Sequence, residues 1–135
     1  MLIKYIKVHN FGVYSGTHTV DLSITEKEKP IILIGGLNGR GKTTLLEAIT
    51  LALYGNNSFN FIESGLSYQN YLAKYVNKND GSLETFVEIS FDIFQNDIST
   101  NYIIRRQWNL KTKNINDNII IFKDGIANTS LTKYW

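Results

Sequence analysis

The sequence predicts an α/β fold in which a buried strand, a glycine-rich loop and a helix follow one another. Three observations predict it: the aliphatic run Pro30–Ile34, the glycine-rich run Gly36–Thr44, and an apolar helical pattern over Thr43–Tyr54. The glycine-rich run fits the phosphate-loop pattern G-x-x-x-x-G-K-[ST]. Because a strand pattern precedes the run and a helix pattern follows it, the match predicts a P-loop NTPase fold rather than a simple turn.

The predicted loop has the chemistry of a nucleotide phosphate site. Its backbone N–H groups and the positive end of the following helix would surround an anion. Lys42 is expected to reach the β- and γ-phosphates as the catalytic lysine, and the Thr43 hydroxyl is expected to ligate Mg²⁺. The predicted cofactors are therefore ATP and Mg²⁺. The predicted nucleotide-binding residues are Gly36, Asn38, Gly39, Arg40, Gly41, Lys42, Thr43 and Thr44.

The predicted helix is apolar around most of its circumference, so it needs cover on several sides. Gly55 is predicted to end it. The polar stretch Asn56–Ser67 is predicted to be a loop, and Ser67 is predicted to cap a short amphipathic helix. That helix would bury one face, which we interpret as packing rather than base stacking, formed by Tyr68, Tyr71, Leu72, Tyr75 and Val76. A turn over Asn77–Ser82 closes a helical insert of about residues 56–80.

The amino-terminal region is predicted to form a β-hairpin. Leu2–Val8 alternates loosely, with Leu2, Ile6 and Val8 on one face, and His18–Leu22 alternates again after a turn at Asn10–Gly12. The charged stretch Thr25–Lys29 then predicts a loop.

The carboxyl-terminal half is predicted to be antiparallel strands. Strict alternation over Val87–Ile93 indicates a half-buried strand, and Tyr102–Leu110 and Ile119–Phe122 are further strands. The polar loop Lys111–Asn118 lies between the last two, and Asp124-Gly125 predicts a tight turn.

Composition and charge restrict the class of protein. A length of 135 residues predicts one domain, residues 1–135, and the lack of cysteine excludes disulfides and thiolate metal sites. No stretch has the length of a membrane span and no signal-peptide pattern is present, so we expect a cytoplasmic protein with no membrane partner.

The charge is unevenly distributed along the chain. The net charge is +2. Residues 1–100 hold 8 Lys and Arg against 10 Asp and Glu, whereas residues 101–135 hold 6 against 2. The basic part contains Arg105 and Arg106, which are predicted to contact DNA phosphates. A solvated, lysine-rich hairpin explains the same charges equally well.

The acidic site that completes a phosphate-loop NTPase is not evident. Such a site needs an apolar strand that ends in Asp. Lys123 separates the strand Ile119–Phe122 from Asp124, and Asp92 fits the solvent face of an alternating strand. His9 and His18 are isolated in sequence, which is typical of structural or solvated residues.

Four stretches of this sequence resemble the amino-terminal lobe of SMC-like ATPases, which include the SMC proteins and the Rad50 and RecN groups. They are I-K-x-I-x-x-x-N-F at 3–11, G-x-N-G-x-G-K-T-T-L-L-E-A-I at 36–49, V-E-I-S-F at 87–91 and Y-I-I-R-R at 102–106. Within the group, N-F-G-x-Y-x-G at 10–16 and L-A-L-Y-G at 51–55 look most like DndD, the SMC-like ATPase of bacterial DNA phosphorothioation systems.

The resemblance implies that the chain is one lobe of an incomplete ABC-type head. The partners would be a carboxyl-terminal lobe of the same full-length protein, which carries the remaining catalytic residues, and a second head that dimerises on ATP. DNA would be contacted weakly or indirectly. Two positions differ from many relatives: Gly12 stands where a basic residue is common, and Arg40 where a small one is. Arg40 would face solvent or reach a phosphate across the dimer.

Three functions are consistent with the sequence. The first is the ATP-binding lobe of an SMC-like ATPase that acts on DNA in sulfur modification, restriction or repair. The second is a self-contained small P-loop NTPase or nucleotide kinase, although neither an acceptor-binding constellation nor a lid is visible. The third is a non-catalytic interaction module regulated by a nucleotide. ATP affinity and ATP turnover of the chain distinguish the three.

Overall fold

The computed structural model describes residues 1–24, 31–79, 81–111 and 114–135. These residues form one antiparallel sheet of six strands in the order β2-β1-β3-β4-β5-β6, with short helices packed beside it. The elements in chain order are β1 (Leu2–Phe11), β2 (Tyr14–Asp21), α1 (Lys42–Tyr54), a 3-10 turn (Gly55–Asn57), α2 (Phe59–Ser64), α3 (Tyr68–Lys74), β3 (Glu84–Gln95), β4 (Ile98–Asn109), β5 (Asn118–Lys123), β6 (Ile126–Ala127) and α4 (Thr129–Tyr134).

The predicted amino-terminal hairpin is present, with longer strands than expected. β1 pairs with β2 in antiparallel register, and the turn lies at Gly12 and Val13. Gly12 has a φ of 57°, which suits glycine. Asn10, predicted within the turn, lies in β1 and is fully buried.

β3 and β4 are the longest strands and form the centre of the sheet. Asn96 and Asp97 connect them with φ values of 51° and 63°, the conformation that matches the twist of a two-residue hairpin. The predicted half-buried alternation of β3 is only partly correct, because Glu88 and Ser90 are buried as well. Glu88 is buried because the Tyr5 hydroxyl and the Arg105 guanidinium from the two neighbouring strands cover its carboxylate.

α1 packs on the sheet and buries one side only. Its buried residues are Leu45, Ala48, Leu51 and Ala52. They join the core residues Ile6, Val8, Phe11, Leu22, Tyr71, Leu72, Tyr75, Val76, Val87, Ile89, Phe91, Ile104, Trp108 and Ile121. Leu46, on the opposite side of α1, is 57% exposed. The expected cover on several sides is therefore not provided by the part of the chain that is described.

The predicted buried strand before the loop is wrong for this structure. Pro30 lies outside the described residues, and residues 31–37 form neither helix nor strand. Ile31 is 85% and Leu33 is 92% exposed. A strand buried on both faces needs sheet neighbours beside it and cover on each face, and the antiparallel sheet described above supplies neither. Ile32 and Ile34 instead line a shallow apolar cavity of about 300 Å³ with Met1, Leu2, Ile3, Leu22 and Ile24.

One further expectation needs correction. The predicted loop at 56–67 contains α2, whose ends are set by Ser58 in extended conformation and Gly65 at a φ of 66°. The helix forms because the Phe61 ring packs edge-on against two tyrosine rings of α3. The short elements β6 and α4 were not predicted.

Several other predictions agree with the structure. α3 begins after Ser67, whose hydroxyl accepts the Asn70 N–H, and the turn at Asp124-Gly125 is present. Thr25–Lys29 lies outside the described residues. Among those that are described, no helix has the length and apolarity needed to cross a membrane.

Candidate functional site

The glycine-rich loop is a tight turn with two glycines at positive φ. Gly39 and Gly41 have φ values of 77° and 97°, which other residues rarely adopt. The Arg40 N–H donates to the Leu37 carbonyl at 3.3 Å, so the loop turns tightly. The Lys42 ammonium group folds back over the loop and donates to the carbonyl oxygens of Gly36 at 2.5 Å and Leu37 at 2.9 Å. The lysine is thereby held at the mouth of the loop.

α1 begins at Lys42 and presents its positive end to the loop. Within the described residues no side chain caps this end, and its first turn contains no acidic residue. The first N–H groups of a helix have no acceptor inside the helix, and the helix dipole favours an anion there. The Lys42, Thr43 and Thr44 side of the loop can therefore hold a negatively charged group.

The turn between β1 and β2 forms one wall of the site, which the sequence did not predict. A cavity of about 280 Å³ is lined by Val13, Asn38, Gly39, Gly41, Lys42, Thr43 and Thr44. The structure thus brings together six of the predicted nucleotide-binding residues with Val13. Gly36 contributes its carbonyl to Lys42, whereas Arg40 is exposed and does not line this cavity.

The turn is fixed in place by buried asparagines. The Asn10 side-chain oxygen accepts the Gly16 N–H at 2.6 Å, and the Asn77 amide donates to the Gly12 carbonyl at 2.8 Å. The Gly12 N–H donates to the Tyr75 carbonyl at 2.7 Å. A wider cleft of about 720 Å³, lined by residues such as Lys74 and Lys78, opens on the other side of the turn.

The other end of α1 is held by two long side chains. The Arg106 guanidinium donates from Nε to the Ala52 carbonyl at 3.1 Å and from Nη1 to Asp117 at 2.6 Å. The Trp135 indole donates to the Leu53 carbonyl at 2.7 Å. Gly55 has a φ of 54°, which disfavours a side chain, and a Cβ there would lie 2.7 Å from the Arg106 guanidinium.

The two arginines predicted to contact DNA point to opposite faces of the sheet. Arg106 is buried against α1 with Asp117, which leaves little of its side chain for a phosphate. Its DNA contact stays a prediction, and the burial and partners of its guanidinium argue against that contact. Arg105 is partly exposed, but it contacts Glu88 at 2.6 Å and covers the Phe86 ring. The pKa of Tyr5, which donates to the same Glu88, is raised to about 12 by burial and by this carboxylate.

The acidic residues considered for Mg²⁺ have structural partners. Asp92 accepts from the Asn101 amide and lies 3.5 Å from Lys4, and Asp124 accepts the Asn101 N–H in its turn. His9 and His18 bond to Thr17 and to the Ser15 carbonyl, respectively. Over the described ranges, no group of three or more His, Cys, Asp or Glu side chains is arranged to hold a metal ion.

A family model described as an AAA domain matches residues 5–133. The chain belongs to this AAA domain family. A mixed α/β architecture with an antiparallel sheet fits a fragment of a P-loop NTPase. The matched range contains the glycine-rich loop, α1 and all the strands from β3 to β6.

The chain is also similar to a curated protein of Treponema pallidum (strain Nichols), the C component of the nuclease SbcCD. The two are 50% identical over 50 residues, which is 37% of this chain and 4% of that protein. This likeness supports the resemblance to the amino-terminal region of SMC- and Rad50-like ATPases. The chain therefore spans only a small part of the length of this relative.

Proposed function

We propose that this chain is the ATP-binding lobe of an SMC-like ATPase that acts on DNA. One observation carries the proposal: Lys42 lies across a loop whose glycines have positive φ, directly before the open positive end of α1. This arrangement matches the chemistry of a nucleotide polyphosphate, which needs N–H donors and a cation on one side. The family and the likeness to the SbcCD component agree with it.

The residues present fit Mg²⁺-ATP. Lys42 would neutralise phosphate charge, and the Thr43 hydroxyl, which is exposed in the first turn of α1 and lines the cavity, would be the protein's ligand to Mg²⁺. The bound ion would screen the phosphate charges. Asn38, Gly39, Gly41 and Thr44 would surround the phosphates, and Arg40, being exposed, would face solvent or a second head.

The partners that we propose are a carboxyl-terminal lobe of the same full-length protein and a second head. Residues 31–34 and Leu46 of α1 form apolar surface that the described residues leave exposed. A further lobe that adds strands beside residues 31–34 would cover this surface. We therefore propose that residues 1–135 are the amino-terminal lobe of the head, that they bind ATP without appreciable turnover, and that the added lobe and head dimerisation are needed for hydrolysis.

The DNA process is proposed from the resemblances. The likeness to the SbcCD component favours a role in DNA repair or processing, and the short motifs shared with DndD favour sulfur modification in a bacterial cytoplasm. Contact between this lobe and DNA would be weak, and Arg105, on the sheet face opposite to α1, would make it through DNA phosphates.

The proposal is tested by calorimetric titration of the chain with Mg²⁺-ATP. Lys42→Ala should raise Kd at least tenfold, since a phosphate-facing charge is lost, whereas Lys123→Ala, which removes an exposed charge on β5, should leave Kd unchanged. Thr43→Val should reduce the difference in affinity measured with and without Mg²⁺. Equal affinities of wild type and Lys42→Ala would refute the assignment.

A further inference from the structure

The side chain of Tyr14, the first residue of β2 after the turn, is hydrogen-bonded to the glycine-rich loop. Its hydroxyl donates to the Gly41 carbonyl at 3.1 Å. The same carbonyl accepts the Leu45 N–H at 2.8 Å, which is the first hydrogen bond of α1. The Gly41 carbonyl therefore connects the glycine-rich loop to both α1 and the amino-terminal hairpin through hydrogen bonds.

The contact between the turn and the loop is tight. A Cβ on Gly41 would lie 2.7 Å from the Tyr14 hydroxyl oxygen and 2.9 Å from a Val13 methyl carbon. Such distances are shorter than side chains tolerate, and the φ of 97° at Gly41 disfavours a side chain as well. Gly41 is thus needed both for its backbone conformation and for its contact with the turn.

The orientation of this peptide group decides where an N–H of the loop points. In a planar trans peptide the C=O and the following N–H point in opposite directions. The Gly41 carbonyl points along α1 toward Leu45 and toward Tyr14. The Lys42 N–H must therefore point away from the helix, toward the loop where the phosphates are proposed to bind.

We propose that Tyr14 is a positioning residue for the phosphate loop. Its hydroxyl holds the Gly41–Lys42 peptide in the orientation that directs the Lys42 N–H at a polyphosphate. Tyr14 can do this because its turn is itself immobilised by Asn10 and Asn77. The inference rests on the proposed function, since it concerns the affinity of the same loop for phosphate.

The test compares wild type, Tyr14→Phe and Tyr54→Phe by calorimetric titration with Mg²⁺-ATP and with Mg²⁺-tripolyphosphate. Tyr14→Phe keeps the ring and removes only the hydroxyl, and Tyr54 is an exposed tyrosine on α1 that serves as the matched control. The loss of one hydrogen bond that orders the site should weaken both ligands by about fivefold in Tyr14→Phe. Tyr54→Phe should bind both ligands as wild type does.

The outcomes separate the inference from the proposed function. Wild type that binds neither ligand would refute the proposed function. Wild-type affinity for both ligands in Tyr14→Phe would overturn the inference alone. Weakened ATP binding with unchanged tripolyphosphate binding would also overturn it, because Tyr14 would then act on the nucleoside. Melting temperatures are measured on the same samples, and a loss of tripolyphosphate affinity at unchanged stability supports positioning rather than a general effect on folding.

Discussion

Replacement of Arg106 by Met should destabilise the chain strongly, although the two side chains have similar volumes. The substitution removes the ion pair with Asp117 and the hydrogen bond to the Ala52 carbonyl, which have lengths of 2.6 Å and 3.1 Å. The Arg106 and Asp117 side chains are 10% and 12% exposed. Asp117 would therefore be left in a nearly buried site without its cationic partner.

The expected loss follows from this burial. Removing one partner of a buried ion pair costs about 3–5 kcal/mol, and the slight exposure of Asp117 places this case near the lower bound. The unpaired carbonyl adds to the loss, but not additively, because the same guanidinium serves both acceptors. We expect a loss of about 3 kcal/mol in the free energy of unfolding, a large fraction of the usual total of about 5–15 kcal/mol.

Urea unfolding followed by circular dichroism measures this loss as a fall in midpoint at unchanged slope. Arg105→Met on the same strand is the control. Its side chain is 33% exposed, and Glu88 would retain the Tyr5 hydroxyl at 2.9 Å and Lys7 at 3.7 Å. It should therefore lose less stability than Arg106→Met, because Glu88, although only 5% exposed, keeps a hydroxyl donor and a cation. The reasoning is refuted if the two variants lose equal stability, or if Arg106→Met loses less than Arg105→Met.

Two other predictions concern pH and association. The pKa of Tyr5 is raised in the folded chain, from 10.0 to about 12, so its contribution to stability is complete below pH 10 and is lost as the pH rises toward 12. Denaturant titrations at several alkaline pH values should show that the free energy of unfolding declines less steeply with pH in Tyr5→Phe than in wild type. An identical decline in the two proteins would contradict this. Residues 31–34 are exposed and aliphatic, so the chain should self-associate at high concentration. Sedimentation velocity should detect less association for Leu33→Asp than for wild type, at an unchanged melting temperature. Equal association of the two proteins would assign the contact to another surface.

The elements that the sequence predicts well are those with local signals. The glycine-rich loop and α1 follow from residue types that adopt few other conformations there, and the amino-terminal hairpin follows from alternation and turn residues. The partners of Arg106 were not predictable, because Asp117 and Ala52 approach it only through sheet pairing and helix packing. Position in an alternating strand predicted solvent for Glu88, but neighbouring strands supply Arg105 and Tyr5.

The wrong prediction at residues 31–34 has a different cause. An aliphatic run of this kind indicates only that the segment needs cover on both faces. It does not indicate whether that cover comes from residues 1–135. Val13 and Tyr14 were missed as part of the site because their contact with Gly41 joins segments that are far apart in sequence.

The strand order also determines when the glycine-rich loop can form during folding. Strands β3 to β6 are joined in sequence by short connections and can pair early, whereas β1 joins β3 only by closing a long chain segment, as in the pair His9 and Phe86. That closure has an entropic cost that grows with segment length, so it is the slower step. The segment it closes contains both the loop and the turn that braces it. A nucleotide bound to the finished loop should therefore slow unfolding and leave the rate of folding almost unchanged.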